Sequence, residues 1–361
     1  MAGNRTTPFP WERGSGGDDH LLVIRLSALG DVAMTVPVLR VFSQSYPQIK
    51  LTVLSKPFFK PLFADIPNVN FYDADVKGRH KGITGLWRLA GQLGDPEPDA
   101  VADLHNVLRS NILKLFFRLK GIPVCQIDKG RQEKKALTRQ KNKVFAPLKS
   151  TIQRYADVFE RLGFPIDLAQ HRFPPGKALS PEINELIGPG EKKWIGIAPF
   201  AAHKGKTYPP DLMEAVIAAL DKTGLYKLLF FGGGKQEIKL LQHMAGKYEN
   251  AVNAAGVLSF EEELALISNI DLMVAMDSGN AHLAAIYGIH TITLWGVTHP
   301  YAGFYPFGQP PENALLADRE KYPLIPTSVY GNKYPEDYEA AMRTISPEQV
   351  VEKIQAYLKA S

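Results

Sequence analysis

Short apolar runs, each followed by an amphipathic stretch, recur along this chain and are interrupted once. LLVIRL (21–26), KLTVLS (50–55), VNFYDAD (69–75) and DAVADL (99–104) have the length of strands rather than helices. VAMTVPVLRVFSQSYP reads as a helix stopping before Pro47, and GLWRLAGQL and RSNILKLFFRLK have helical apolar spacing. This alternation specifies a parallel sheet with helices on both faces. TIQRYADVFERLG (151–163) adds a helix with Tyr155, Val158, Phe159 and Leu162 on one face.

From 164 to 190 periodicity fades and Pro and Gly crowd in, which marks a passage between domains. The rhythm then restarts. KWIGIAP (193–199), YKLLFFG (226–232), a strand near AVNAAG, DLMVAM (271–276) and HTITLWG (290–296) alternate with helices, one from Pro210 to Thr223, then QEIKLLQHMAG, FEEELALISN and a short one over 279–287. SPEQVVEKIQAYLKA opens with an N-cap pattern and is amphipathic. The chain therefore reads as a leader at 1–20, a first α/β domain at 21–170, a linker at 171–190, a second α/β domain at 191–345 and a last helix at 346–361.

Composition excludes several classes. At 45% hydrophobic and 22% charged the chain is globular, and no apolar run reaches the roughly 18 residues that span a bilayer. The opening residues are polar and rich in Gly and Pro, so they read as a flexible leader rather than a secretory signal. A single cysteine, Cys125, excludes an internal disulfide framework and a cysteine metal site, and fits a reducing cytoplasm. The net charge of +5 is too mild for a nucleic-acid surface. Much of it lies in KGRQEKKALTRQKNK (129–143), which is either a solvated face or a site for an anionic acceptor or membrane surface.

Three stretches sit where strands end, which is where ligands bind in such sheets. In LSALGDVAMTVP (26–37) Asp31 stands at the start of a helix, as a cap or as a base on a cleft rim. In AMDSGNAHLAAIYGIHTITLWGVTHP (275–300) Asp277, Ser278 and Gly279 precede or open a helix, with His282 in its first turn, an arrangement suited to phosphate or to plain capping. In AAHKGKTYPP (201–210) Lys204 and Lys206 lie in a loop above a strand end, where an ammonium can neutralise a diphosphate. The three glycines of FFGGGKQE (230–237) fit neither the dinucleotide nor the P-loop spacing.

RLSALGDVAMTVPVLRVFSQSYP, KTYPP, GVLSFEEELALI and DSGNAHLAAIYGIHTITLWGVTHP together resemble glycosyltransferase family 9, the lipopolysaccharide heptosyltransferases, and VADLHNVLRSN (101–111) is similar to the family's acceptor-side strand and helix. The resemblance implies a GT-B fold: two Rossmann-like domains facing a central cleft, with the last helix packing back on the first domain. It implies inverting, metal-free transfer from an ADP-heptose or related nucleotide-sugar to an anionic lipopolysaccharide core acceptor, at the inner face of the cytoplasmic membrane, with transient contact to that surface and no nucleic acid. By position, Asp31 matches the catalytic base. Lys206, Asp277, Ser278, Gly279 and His282 match the donor-phosphate residues, Glu237 a donor-holding acid, and Gly256 and Leu258 the adenine-pocket turn. Arg131, Lys134 and Lys135 are the acceptor-binding candidates. Tyr208 stands where the family often has Trp, and residues 310–340 are longer and more irregular than in a simple member. A nucleotide-sugar epimerase and a non-catalytic nucleotide-sugar-binding module are the alternatives. An epimerase needs no acceptor, and a binding module needs no Asp31.

Overall fold

The computed structural model describes residues 19–360. The leader expected at 1–20 lies, up to residue 18, outside the described residues; His20 already opens the first strand, and its amide donates to Asp99 Oδ2 at 2.8 Å. The chain divides into two compact units. One runs to Lys129 and resumes over Thr151–Arg172; the other takes Gly130–Ser150 and everything from Phe173 onward.

The first unit contains β1 (His20–Ile24), α1 (Leu29–Ala33), α2 (Val36–Ser45), β2 (Lys50–Ser55), β3 (Val69–Asp73), α3 (Gly82–Gln92), β4 (Ala100–Asp103), α4 (Leu108–Leu119) and β5 (Val124–Gln126). Helix α5 (Arg131–Thr138) falls in the second unit, and α6 (Thr151–Arg161) returns to the first. Five strands lie in the order β3-β2-β1-β4-β5, with β1 parallel to both neighbours, Leu21 opposite Leu51 and Ala100. Such a strand is covered on both faces, which is why LLVI is apolar without alternation. Leu22 and Ile24 pack with Leu86 and Leu89 of α3 and Leu113 and Phe117 of α4. Elsewhere in the unit α2 meets α6, where the rings of Phe42 and Phe159 lie 5.0 Å apart. The helix expected before Pro47 is two helices. Pro37, which has no amide hydrogen to give a helix interior, sits in the first turn of α2.

The second unit continues with α7 (Pro181–Ile187), β6 (Lys193–Ala198), α8 (Pro210–Asp221), β7 (Tyr226–Phe230), α9 (Lys235–Ala245), β8 (Ala251–Asn253), α10 (Phe260–Ile267), β9 (Leu272–Met276), α11 (Gly279–Ala285), β10 (His290–Trp295), β11 (Ala314–Leu316) and α12 (Pro347–Ala360). Its six strands run β11-β10-β9-β6-β7-β8, with every neighbour pair parallel. In both sheets the strand order reverses beside the unit's first strand, between β1 and β4 and between β6 and β9. At such a switch point the loops leaving two adjacent strands part to opposite faces and open a crevice.

Three boundary expectations are corrected. The last helix was expected on the first domain, but Val350, Ile354 and Leu358 of α12 join Val216, Ile217 and Leu220 of α8 in the core of the second unit. The linker at 171–190 contains α7, capped by Ser180, whose Ile183 and Ile187 are buried; upstream, the Lys177 amide donates to Ser268 Oγ at 2.9 Å. The basic segment, assigned by position to the first domain, groups with the second. There Lys143 Nζ donates to the carbonyls of Leu324 and Pro326, each at 2.7 Å, and Arg319 stacks 3.4 Å from the ring centre of Phe145.

Candidate active site

In the first unit the switch point is occupied by charge. Arg25 follows β1 and is buried, with Nη1 donating to the Leu104 carbonyl at 2.7 Å and Nη2 2.5 Å from Asp31 Oδ2. Asp31, the third residue of α1, also accepts the Ala28 amide on Oδ2 at 3.3 Å, closing the turn that leaves β1. Both contacts converge on one carboxylate oxygen, and Oδ1 takes part in neither. Tyr155 of α6 donates to the Asp31 carbonyl at 3.3 Å, and burial raises its phenol pKa. Capping thus occupies one side of Asp31: Oδ2 holds the turn, and Oδ1 makes neither contact.

The loop after β4 forms the other wall. Asp103, fully buried at the strand end, accepts the amides of His105 and Asn106 on Oδ1, each at 2.9 Å, and the Ser110 hydroxyl on Oδ2 at 3.1 Å. Buried Lys114 lies 2.7 Å from the same Oδ2 and also donates to Gln126. This network fixes His105, whose Nδ1 accepts the Leu26 amide at 3.4 Å. Burial first, then Arg25 and Lys129, push the imidazole pKa down to about 3, so the ring is neutral at physiological pH.

The second unit repeats the arrangement at β6 and β9. Lys206, in the loop after β6, places Nζ 3.2 Å from Oδ2 of Asp277, which directly follows β9. Thr298 donates to the same oxygen at 2.9 Å. Gly331 lies against the lysine stem: a Cβ there would stand 2.3 Å from Lys206 Cγ, and its φ is +75°, so a side chain is excluded twice over. The irregular 310–340 region therefore packs on Lys206. Tyr208 is buried, donates to the Ile345 carbonyl at 2.7 Å and acts as a structural anchor. Ser278 is the N-cap residue of α11, yet its hydroxyl makes no cap bond and meets no partner among the described residues. Gly279 opens the helix, and His282 is buried on it.

The remaining candidates are spread over the second unit. Glu237 on α9 accepts the Gly233 amide on Oε2 at 2.9 Å, tying down the three-glycine turn. Gly256, at φ +71° and pressed against Ile238, borders an open groove of about 570 Å³ lined also by Lys235, Gln242, Asn253 and Val257. Leu258 is half-buried and is not among the groove's lining residues. Arg131 and Lys135 project from α5 into solvent, while Lys134 Nζ lies 4.2 Å from the ring centre of Phe304. Among the described residues no group of three or more His, Cys, Asp or Glu is placed to hold a metal ion.

Sequence reasoning missed Arg25, Thr298 and the Asp103–Lys114 pair. A signal existed for the first, since an arginine inside an apolar strand run needs a partner. Thr298 lay inside a motif already singled out.

A sequence model described as glycosyltransferase family 9 (heptosyltransferase) matches residues 86–324. The lipopolysaccharide core heptosyltransferase OpsX of Haemophilus influenzae is 24% identical over 78% of this chain and 80% of its own length. A family 9 glycosyl transferase from Veillonella parvula superposes with a TM-score of 0.72 at 20% identity, covering 95% of this chain and 98% of that one. The E. coli ADP-heptose lipopolysaccharide heptosyltransferase II gives a TM-score of 0.67 at 20% identity, covering 94% and 99%.

Proposed function

This chain belongs to glycosyltransferase family 9, the heptosyltransferases, and from that premise we propose that it transfers a heptose from an ADP-heptose to a hydroxyl of a lipopolysaccharide inner-core acceptor, with inversion. The family makes it a transferase, which speaks against the epimerase and the binding module. The observation that carries the finer reading is the pairing at each switch point: a carboxylate presented at the end of β1 by a buried arginine, and an ammonium held at the end of β6 by a buried aspartate.

In this reading Asp31 Oδ1 takes the acceptor proton as the hydroxyl oxygen bonds to the anomeric carbon. The bond from that carbon to the diphosphate breaks, and ADP leaves with the electron pair. Lys206, the Ser278 hydroxyl, the backbone at Gly279 and His282 stabilise the charge that develops on the leaving group, with Asp277 and Thr298 holding the lysine in place. Glu237 braces the glycine turn against the donor, and the groove beside Gly256 receives the base. Arg131, Lys134 and Lys135 meet anionic groups of the acceptor. The names of the Haemophilus and E. coli relatives support the acceptor and the donor. A lipid-linked acceptor places the enzyme in the cytoplasm at the inner face of the membrane; no helix among the described residues is long and apolar enough to cross it.

The test is incubation with a panel of ADP- and UDP-sugars and truncated core-lipid acceptors, with products read by mass spectrometry. An acceptor one heptose heavier, formed from the ADP donor alone, is expected. Epimerised nucleotide-sugar without a heavier acceptor, or transfer from a UDP-sugar only, would overturn the reading.

A further inference from the structure

Helices α3 and α4 pack together against the first sheet, and each has an apolar inward face. Their outward faces should then be polar. They are not. On α4, Leu108, Leu115 and Leu119 are spaced seven and four residues apart and all exposed, Leu108 and Leu119 at 77% and 71%. On α3, Ile83 and Trp87 are one turn apart and both exposed. The edge-to-face contact of Trp87 with Phe116, centroids 5.4 Å apart, joins the two rows into one patch. Neither helix contains an Asp or Glu, whereas Arg88, Arg109 and Arg118 are exposed among the apolar side chains. An apolar strip of leucines with a tryptophan at its edge and arginines among them, its nearest acid, Glu97, being neutralised by Lys120 at 2.8 Å, matches a bilayer interface: acyl chains take the leucines, the tryptophan sits at headgroup level, and arginines meet lipid phosphates.

We propose that this α3–α4 face docks the enzyme on an anionic lipid bilayer. The charge pattern selects that occupant over a second copy of the chain, since a two-fold contact would set the three arginines of the two acid-free helices against their own copies. The inference deepens the reading of a membrane-seated acceptor given above. It also relocates the membrane contact from the basic segment at 129–143 to these two helices.

The experiment uses bare vesicles without donor or acceptor, so docking and transfer can fail independently. The full chain is sedimented with vesicles of phosphatidylethanolamine and phosphatidylglycerol, and with vesicles of phosphatidylcholine alone. Binding to the anionic vesicles only is expected, with a blue shift of tryptophan emission that Trp87→Phe removes. Leu115→Ser and Leu119→Ser should each weaken partitioning about tenfold. Arg109→Gln and Arg118→Gln should each weaken it about fivefold. All four residues are solvent-exposed, and unchanged circular dichroism verifies the fold. Absence of vesicle binding, equal binding to neutral vesicles, or binding indifferent to these substitutions would overturn the proposal. So would a dimer in sedimentation velocity that Leu115→Ser and Leu119→Ser dissociate.

Discussion

The two switch points carry the same chemical object turned inside out. At the end of β1 the cation is the buried partner: the Arg25 side chain is 6% exposed and the Asp31 side chain 29%. At the end of β6 the order reverses, with Asp277 at 8% and Lys206 at 14%. The buried member of an ion pair fixes the geometry, because it cannot leave without stranding its own charge. The more exposed member meets what arrives from solvent. One unit therefore offers a carboxylate, suited to taking a proton, and the other an ammonium, suited to a phosphate. A third pair, Asp103–Lys114, lies between β4 and α4 with both members buried and offers nothing to solvent. Its work is to hold the loop bearing His105.

The largest effect should come from the pair that presents the carboxylate. Asp31→Asn keeps an oxygen for Arg25 and for the Ala28 amide, so the turn survives, but the amide cannot take a proton. Transfer should fall about 10²–10⁴-fold with donor affinity unchanged. Steady-state kinetics alongside calorimetric titration of the donor measure both. Near-normal turnover would return Asp31 to a cap and dissolve the contrast between the pairs.

The wholly buried pair should respond in stability instead. Asp103→Ala strands the Lys114 ammonium and frees two backbone amides, so unfolding free energy should drop by about 3–5 kcal/mol. Replacing both members, Asp103→Leu with Lys114→Leu, should restore part of that loss, because no buried charge is left alone. Urea denaturation followed by circular dichroism distinguishes the two. Equal losses would mean that the amide bonds, not the ion pair, hold the loop.

These pairs also mark how far the sequence could be read. Strand β9 falls where the apolar run DLMVAM places it, because a period-free apolar run flanked by polar residues has few other solutions. Asp31, Lys206 and Asp277 were legible because each lies a few residues beyond such a run, where a parallel sheet presents its loops. Lys114 was not: it sits on an amphipathic helix where a lysine is normally solvated, and only the register of β4 against α4 brings Asp103 beneath it. Amphipathicity predicted α12 but could not name the surface it covers, and α8 proved to be that surface. Nor could charge density reveal that segment 130–150 is fastened to the second unit, since two of the carbonyls that accept from Lys143, those of Leu324 and Pro326, are more than a hundred residues away.

The pair that presents the ammonium ranks next. Lys206→Ala removes the charge proposed to meet phosphate and leaves Asp277 with Thr298 as its remaining contact of the two. Donor Kd should rise about 10–100-fold, the worth of a charged hydrogen bond of roughly 1.5–3 kcal/mol. Lys206→Arg should recover little, because Gly331 lies against the stem and a planar fork does not replace a point charge there. If the lysine supplies the leaving-group charge, wild-type transfer should also persist in EDTA. Activity lost to the chelator and restored by a divalent ion would assign that charge to a metal and leave Lys206 a structural partner of Asp277.

The smallest effect is expected where charge is displayed without any buried partner to fix it. Arg131 and Lys135 stand exposed on α5, while Lys134 is half-buried with its ammonium over Phe304. Flexible cations in solvent contribute about 1 kcal/mol or less each, and salt screens them. Arg131→Gln with Lys135→Gln should therefore raise the acceptor KM a few-fold at low ionic strength, and the difference should shrink as salt approaches about 0.15 M. Donor Kd should not move, because neither residue lies among those assigned to the donor. Lys134→Gln should change the acceptor KM less than either exposed residue does, since its charge is already engaged by the ring. Kinetics at two salt concentrations, with acceptor and donor varied separately, decide the matter. A KM indifferent to all three substitutions would make α5 a solvated face, and a weakened donor Kd would move it to the nucleotide-sugar side of the reaction.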